Sequence, residues 1–247
     1  MTLDAGLGWS VFALLTGVSF VTSFITAAFG IGGGVVLLAV MASLMPPAAL
    51  IPVHGLVQLG SNGGRAALMW REARWGVFGA FTAGALVGVA LASTVVVRLP
   101  GDALRIGLGA FILWSVFGRP PAFMRDSAAI AGGFSSFLTM FFGGTGSFVA
   151  AYVKTLGLDR IGHVATHSVL MTMQHLLKSV AFGFLGFAFG TWLPLIAAMI
   201  ASGFLGTVIG RRVLMRIEER RFRFILSAIL VLLALRLIVD GGLGLAG

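Results

Sequence analysis

The chain contains no cysteine among its 247 residues. That removes disulfides, thiolate nucleophiles and sulfur-ligated metal sites together. Charge is scarce as well. Only 10% of residues are Asp, Glu, Lys or Arg, against about 25% in an ordinary soluble domain. Acid is the scarcer sign: Asp4, Glu72, Asp102, Asp126, Asp159, Glu218, Glu219 and Asp240 are all there is, and each falls between apolar runs or at the end of one. No hydrophilic stretch is long enough for a separate soluble domain, and no P-loop or other cofactor-binding motif occurs, so no cofactor and no metal are expected. No basic residue precedes the first apolar run, so residues 9–29 read as a retained segment and not a cleaved signal peptide.

What is present is apolar. Hydrophobic residues make up 58% of the chain, and the mean hydropathy is +1.05. One core of this size could not hide that surface from water, so the solvent is lipid. At roughly 20 residues per crossing there is room for about eight to ten spanning or half-spanning helices. Apolar runs fall at 9–29, 34–45, 48–69, 75–97, 103–118, 128–142, 147–153, 162–186, 192–210 and 222–239. Alternation of barrel-strand type is absent, which leaves an all-α integral membrane protein.

Two runs are interrupted by glycine with no charge nearby: Gly30-Ile31-Gly32-Gly33-Gly34 and Gly143-Gly144-Thr145-Gly146. Residues 9–45 are too long for one crossing and 128–153 too short for two, so each reads as a broken helical hairpin turning near mid-membrane. A shift of 113 positions lays Gly30 on Gly143, Gly33 on Gly146, His54 on His167, Asn62 on His175 and Arg65 on Lys178. This register predicts two repeats, residues 1–118 and 128–247, joined by a linker at 119–127. Each would be a hairpin plus three transmembrane helices.

A hairpin returns to its own side, so three further crossings invert the second copy. With the 70–75 loop inside, the inner loops carry Arg71, Arg74, Arg119, Arg125, Lys154, Arg160, Arg211, Arg212, Arg216, Arg220, Arg221 and Arg223, and the outer loops only Arg98 and Arg105. That bias is the positive-inside pattern, with both termini outside. The net charge of +9 therefore reports orientation and not nucleic-acid binding. Inverted repeats with broken helices are a transporter architecture whose site lies between the repeats.

The chemistry expected at that site is anion binding. No carboxylate lies inside an apolar run, whereas Arg65 and Lys178 do. Each break starts a new half-helix whose first N–H groups are unpaired and whose dipole end is positive. The residues predicted to line the site are Gly32, Gly33 and Gly34 with Gly144, Thr145, Gly146 and Ser147 at the breaks. On the two polar helices they are His54, Gln58, Ser61, Asn62 and Arg65, and His167, Thr172, Gln174, His175 and Lys178. His163 and His167 lie one turn apart without a third ligand, a poor zinc site. GxxxG pairs such as Gly84/Gly88 and Gly206/Gly210 read as helix packing. An intramembrane hydrolase is disfavoured, because His167 and Ser168 point about 100° apart on a helix and no orienting Asp is at hand. An anion channel with the same site, or a non-catalytic membrane subunit, are the remaining alternatives to a carrier.

The stretches Ala28-Phe29-Gly30-Ile31-Gly32-Gly33-Gly34 and Ile51-Pro52-Val53-His54-Gly55-Leu56-Val57-Gln58-Leu59-Gly60-Ser61-Asn62, followed by Arg65 and Trp75, resemble the sulfite exporter TauE/SafE family of bacterial membrane permeases. The second half departs from it: Gly143-Gly144-Thr145-Gly146-Ser147 stands where a triple glycine is typical. The resemblance implies transport of sulfite, a sulfonate or a related organosulfur anion, usually export, from a bacterial inner membrane. A homodimer is compatible with it.

Overall fold

The computed structural model describes residues 4–29, 32–96, 100–213 and 219–246. Gly30, Ile31, Arg98, Arg216 and Glu218, which entered the sequence argument, lie outside them, as do the side chains of Glu219, Arg220, Arg221 and Arg223. The described residues form ten α-helices joined by short turns, with no strand among them. They are α1 (Trp9–Phe29), α2 (Gly33–Leu44), α3 (Pro47–Leu68), α4 (Phe78–Ser93), α5 (Gly101–Phe117), α6 (Ala128–Phe142), α7 (Gly146–Thr155), α8 (Arg160–Phe184), α9 (Leu193–Val213) and α10 (Glu219–Ala246).

The helices begin where backbone chemistry allows. Pro47 opens α3, where its missing N–H costs nothing. Asp159 caps α8 by accepting a 2.8 Å hydrogen bond from Gly162 N. The two breaks need glycine: Gly32 has φ 106° and Gly143 φ 68°, a region closed to most side chains. By contrast α2 and α7 start without any side-chain cap.

Segments Trp9–Phe29, Trp75–Ser93, Phe189–Arg212 and Ser227–Leu245 are long and apolar enough to cross a bilayer. They carry α1, α4, α9 and α10, and their outer faces expose Leu14, Val21, Leu86, Val87, Leu91, Leu205, Ile209, Leu232, Val239 and Leu243. Such a surface belongs against lipid. The chain is thus a multi-pass membrane protein. The long helices α3 and α8 are more polar because they face each other in the centre, not lipid.

Close helix approach uses glycine as the GxxxG spacing predicts. A Cβ at Gly84 or Gly88 would overlap the carbonyl of Ala129 or Gly133 on α6. One at Gly206 would overlap the carbonyl of Phe20 on α1, and one at Gly210 would come within 2.6 Å of the Phe24 carbonyl oxygen. Polar staples join α1 to α9: Ser19 Oγ donates to Met199 O at 2.7 Å and Ser202 Oγ to Thr16 O at 2.8 Å. In a membrane each is worth about 0.6 kcal/mol. The closest packed pairs are α1 with α9, α4 with α6, α5 with α10, and α3 with α8. An aromatic cluster ties α5 to the second hairpin, with Phe111 stacked on Phe142 at 4.9 Å and on Phe148 at 5.8 Å.

Candidate anion site between the hairpin tips

The second glycine break packs on α2 and α3. A Cβ at Gly143 would lie 3.0 Å from Leu38 Cδ1 and 3.2 Å from His54 Nδ1, and one at Gly144 would lie 3.0 Å from Val35 Cγ2. Glycine there lets the second tip approach α2 and α3. Around the tips is a cavity of about 750 Å³. Its polar lining comes from Gly32, Gly34, Gly144, Gly146 and Ser147 at the breaks, His54, Gln58 and Asn62 on α3, and His167 and His175 on α8. His54 and His167 each lie seven residues into their helices, roughly 10 Å along the axis.

The other predicted residues stand behind this wall. Gly33 packs on α1, where a Cβ would collide with the Thr22 carbonyl and the Thr26 hydroxyl. Arg65 is 1% exposed, which excludes snorkelling to the surface. It donates from Nη1 to Asn62 Oδ1 at 3.0 Å and from Nη2 to Ser61 Oγ at 3.2 Å. Ser61 also pairs with Ser23 at 3.0 Å. Asn62 Nδ2 in turn donates to Gln58 O at 2.8 Å. Arg65 therefore orients a cavity residue without lining the cavity itself.

A second network holds the other tip. Gln174 Nε2 donates to Thr145 Oγ1 at 2.7 Å, and Gln174 Oε1 accepts from Ser135 Oγ at 2.8 Å. Thr172 donates within its own helix to Ser168 O at 2.7 Å. Lys178 is fully buried, and its Nζ has no hydrogen-bond partner among the described residues. Its Cε packs on Gly55 of α3, within 2.6 Å of where a Cβ would sit.

Sequence reasoning missed part of the wall. Thr26, Phe29, Val35, Met171 and Ser115 line it, and at one end so do Lys154, Leu158, Arg160 and His163. In the sequence Lys154 and Arg160 stand out only as inner-loop charges. Arg160 Nη2 donates to Ala28 O at 3.2 Å, reaching the C-terminal carbonyls of α1, where a cation is favoured. Nothing in the local sequence signals that contact, because it joins residues 132 positions apart.

No carboxylate is buried among the described residues. The site combines two half-helix N-termini, imidazoles, amides and buried cations, a set suited to negative charge. The described helices thus form a multi-pass membrane protein around a polar cavity. More specifically, the family model described as sulfite exporter TauE/SafE matches residues 15–237, and the chain belongs to that family of membrane transporters. No curated protein and no solved structure matches the chain.

Proposed function

We propose that the protein is a secondary carrier for a small anion, of the sulfite, sulfonate or related organosulfur class. It would bind its substrate between the hairpin tips and export it across a bacterial inner membrane. The observation that carries this is the cavity itself. Two half-helix starts without side-chain caps adjoin a space bounded by imidazole and amide groups, with no buried carboxylate among the described residues to repel an anion.

Alternating access would follow from two inverted repeats, residues 1–118 and 128–247, with both termini periplasmic. The pairing of helices supports this. Under the 113-residue shift, α1 packed on α9 becomes α6 packed on α4, while α3–α8 and α5–α10 map onto themselves. Phe29 maps on Phe142, Gly33 on Gly146 and Pro47 on Arg160, so α1 and α6 end, and α2, α7, α3 and α8 begin, in register. The cavity runs to Lys154 and Arg160 on the basic face, as an inward-open state would. The two repeats then rock about the tips to open the other side.

Proteoliposome transport tests this. Purified protein is assayed with sulfite, sulfate, thiosulfate and ethanesulfonate. Saturable movement of at least one anion, reduced tenfold or more in Gly144→Val, is expected, since the added side chain enters the space beside Val35. If folded protein moves none of them, the carrier assignment is wrong. A rate that never saturates would favour a channel instead.

A further inference from the structure

Two of the cavity histidines, His54 and His167, use their ring nitrogens in a matched way. His54 Nε2 lies 3.0 Å from the Gly34 carbonyl oxygen, and His167 Nε2 lies 3.0 Å from that of Gly146. A carbonyl oxygen only accepts, so Nε2 carries the hydrogen in both rings. Gln58 Nε2 also lies near His54 Nε2, at 3.3 Å, but the carbonyl is closer and fixes the tautomer. In a neutral imidazole the remaining nitrogen is then an acceptor. Nδ1 of both rings is buried and has no partner among the described residues. His54 is 0% exposed and His167 3%.

An orphan acceptor is the wrong group to present to an anion. Its lone pair would repel the charge that the half-helix starts attract. One proton at Nδ1 reverses this, since the imidazolium donates from both nitrogens and keeps its carbonyl bond. The surroundings decide when that proton can be held. Facing His54 are Lys178 and His175 from α8, the latter with ring centroids 6.2 Å away, and Gly143 from the second tip. Around His167 are Arg65 from α3, Gly146 from α7, and His163 and His175 on its own helix. None is a carboxylate, so the counter-charge for an added proton is the bound anion.

We propose that the anion binds together with protons taken up at Nδ1 of His54 and His167, making this an anion–proton cotransporter. The proposal rests on the carrier function above. The proton comes from water in the cavity, forms an N–H bond at Nδ1 whose positive charge holds the anion, and returns to water when the anion leaves. No electron or other group moves. Protons and anion bind and leave together, so they travel in the same direction, and export is then driven by the anion's own outward gradient.

The test counts protons on binding. Ethanesulfonate and thiosulfate are fully ionised near neutral pH and bring no proton of their own. Each is titrated calorimetrically into the full-length detergent-solubilised protein at pH 8, in Tris and in triethanolamine, neither of which contains a sulfonate. The difference in binding heat, divided by the difference in buffer ionisation heat, gives the protons taken up. About two per anion are expected, one for each imidazole, falling to about one in His54→Gln and in His167→Gln. Binding with no uptake by the wild-type chain overturns the inference and leaves the carrier standing. Uptake unchanged in both variants overturns it too, because the protons then sit elsewhere. Heat from neither probe also overturns it, and heat from none of these two, sulfite and sulfate overturns the carrier assignment as well. The wild-type count decides even where a variant does not fold.

Discussion

Replacing Lys178 by Met is expected to make the protein more stable and less able to transport. The Lys178 amine is fully buried, and among the described residues it has neither a hydrogen-bond partner nor a buried carboxylate to neutralise it. Desolvating an ion costs several kcal/mol, and replacing a buried ion pair by apolar side chains of similar volume recovers about 1–4 kcal/mol, the scale taken for this lone buried amine. Methionine keeps the unbranched stem that packs on Gly55, so little packing is lost. A gain of about 1–3 kcal/mol corresponds to a rise of roughly 2–12 °C in unfolding midpoint for a chain of this size. The assay is tryptophan-fluorescence melting in one detergent at one scan rate, with Lys178→Ala beside it. Alanine leaves a cavity and should fall below methionine by about 2 kcal/mol or more. Anion uptake should drop tenfold or more in both, because a cation is missing from the central helices. A midpoint for Lys178→Met below wild type would refute the reasoning. It would mean that the ammonium makes a stabilising contact in the native protein.

Gly206→Val should lower the midpoint, since its side chain must displace the Phe20 carbonyl of α1. Overpacking of this kind costs about 1–3 kcal/mol, and an unchanged melt would show that α1 and α9 are not in backbone contact. Arg160→Ala removes a cation from the cavity end and a bond to Ala28 O. The half-saturating anion concentration should rise several-fold, with a flatter dependence on salt; identical salt curves would rule out steering by this residue. Because the chain has no cysteine, single introduced cysteines report sidedness without background. Exposed positions 119 and 190 flank opposite ends of the central helices. In inside-out vesicles an impermeant maleimide should label Arg119→Cys and spare Gly190→Cys, and the reverse would invert the proposed orientation.

The helices themselves were legible in the sequence because lipid enforces a simple code. Apolar runs must be helical, and most of them end where glycine, proline or charge begins. Runs 9–29 and 128–142 coincide with α1 and α6 to the residue, and most other boundaries fall within about three residues, the usual uncertainty of helix ends. The extra reach of α10, to 219 and 246, passes through arginines and glycines that hydropathy alone could not join into one helix. The GxxxG pairs at Gly84/Gly88 and Gly206/Gly210 pack as their spacing predicts.

The candidate site was only half legible. Sequence named a polar set on two helices, but a helix presents several faces and period alone does not say which one meets the cavity. His54, Gln58, Asn62, His167 and His175 face it, while Ser61, Arg65, Thr145, Gln174 and Lys178 turn into the packing behind. Composition and pattern alone determined a membrane protein, its helices, its two glycine breaks and the poverty of interior acid. Those follow from local chemistry and the solvent. Tertiary structure alone decided that Arg65 orients Asn62, that Arg160 reaches α1, and that two orphan imidazole nitrogens lie beside the glycine breaks. Each joins groups by side-chain direction across packed helices, which no spacing along the chain encodes.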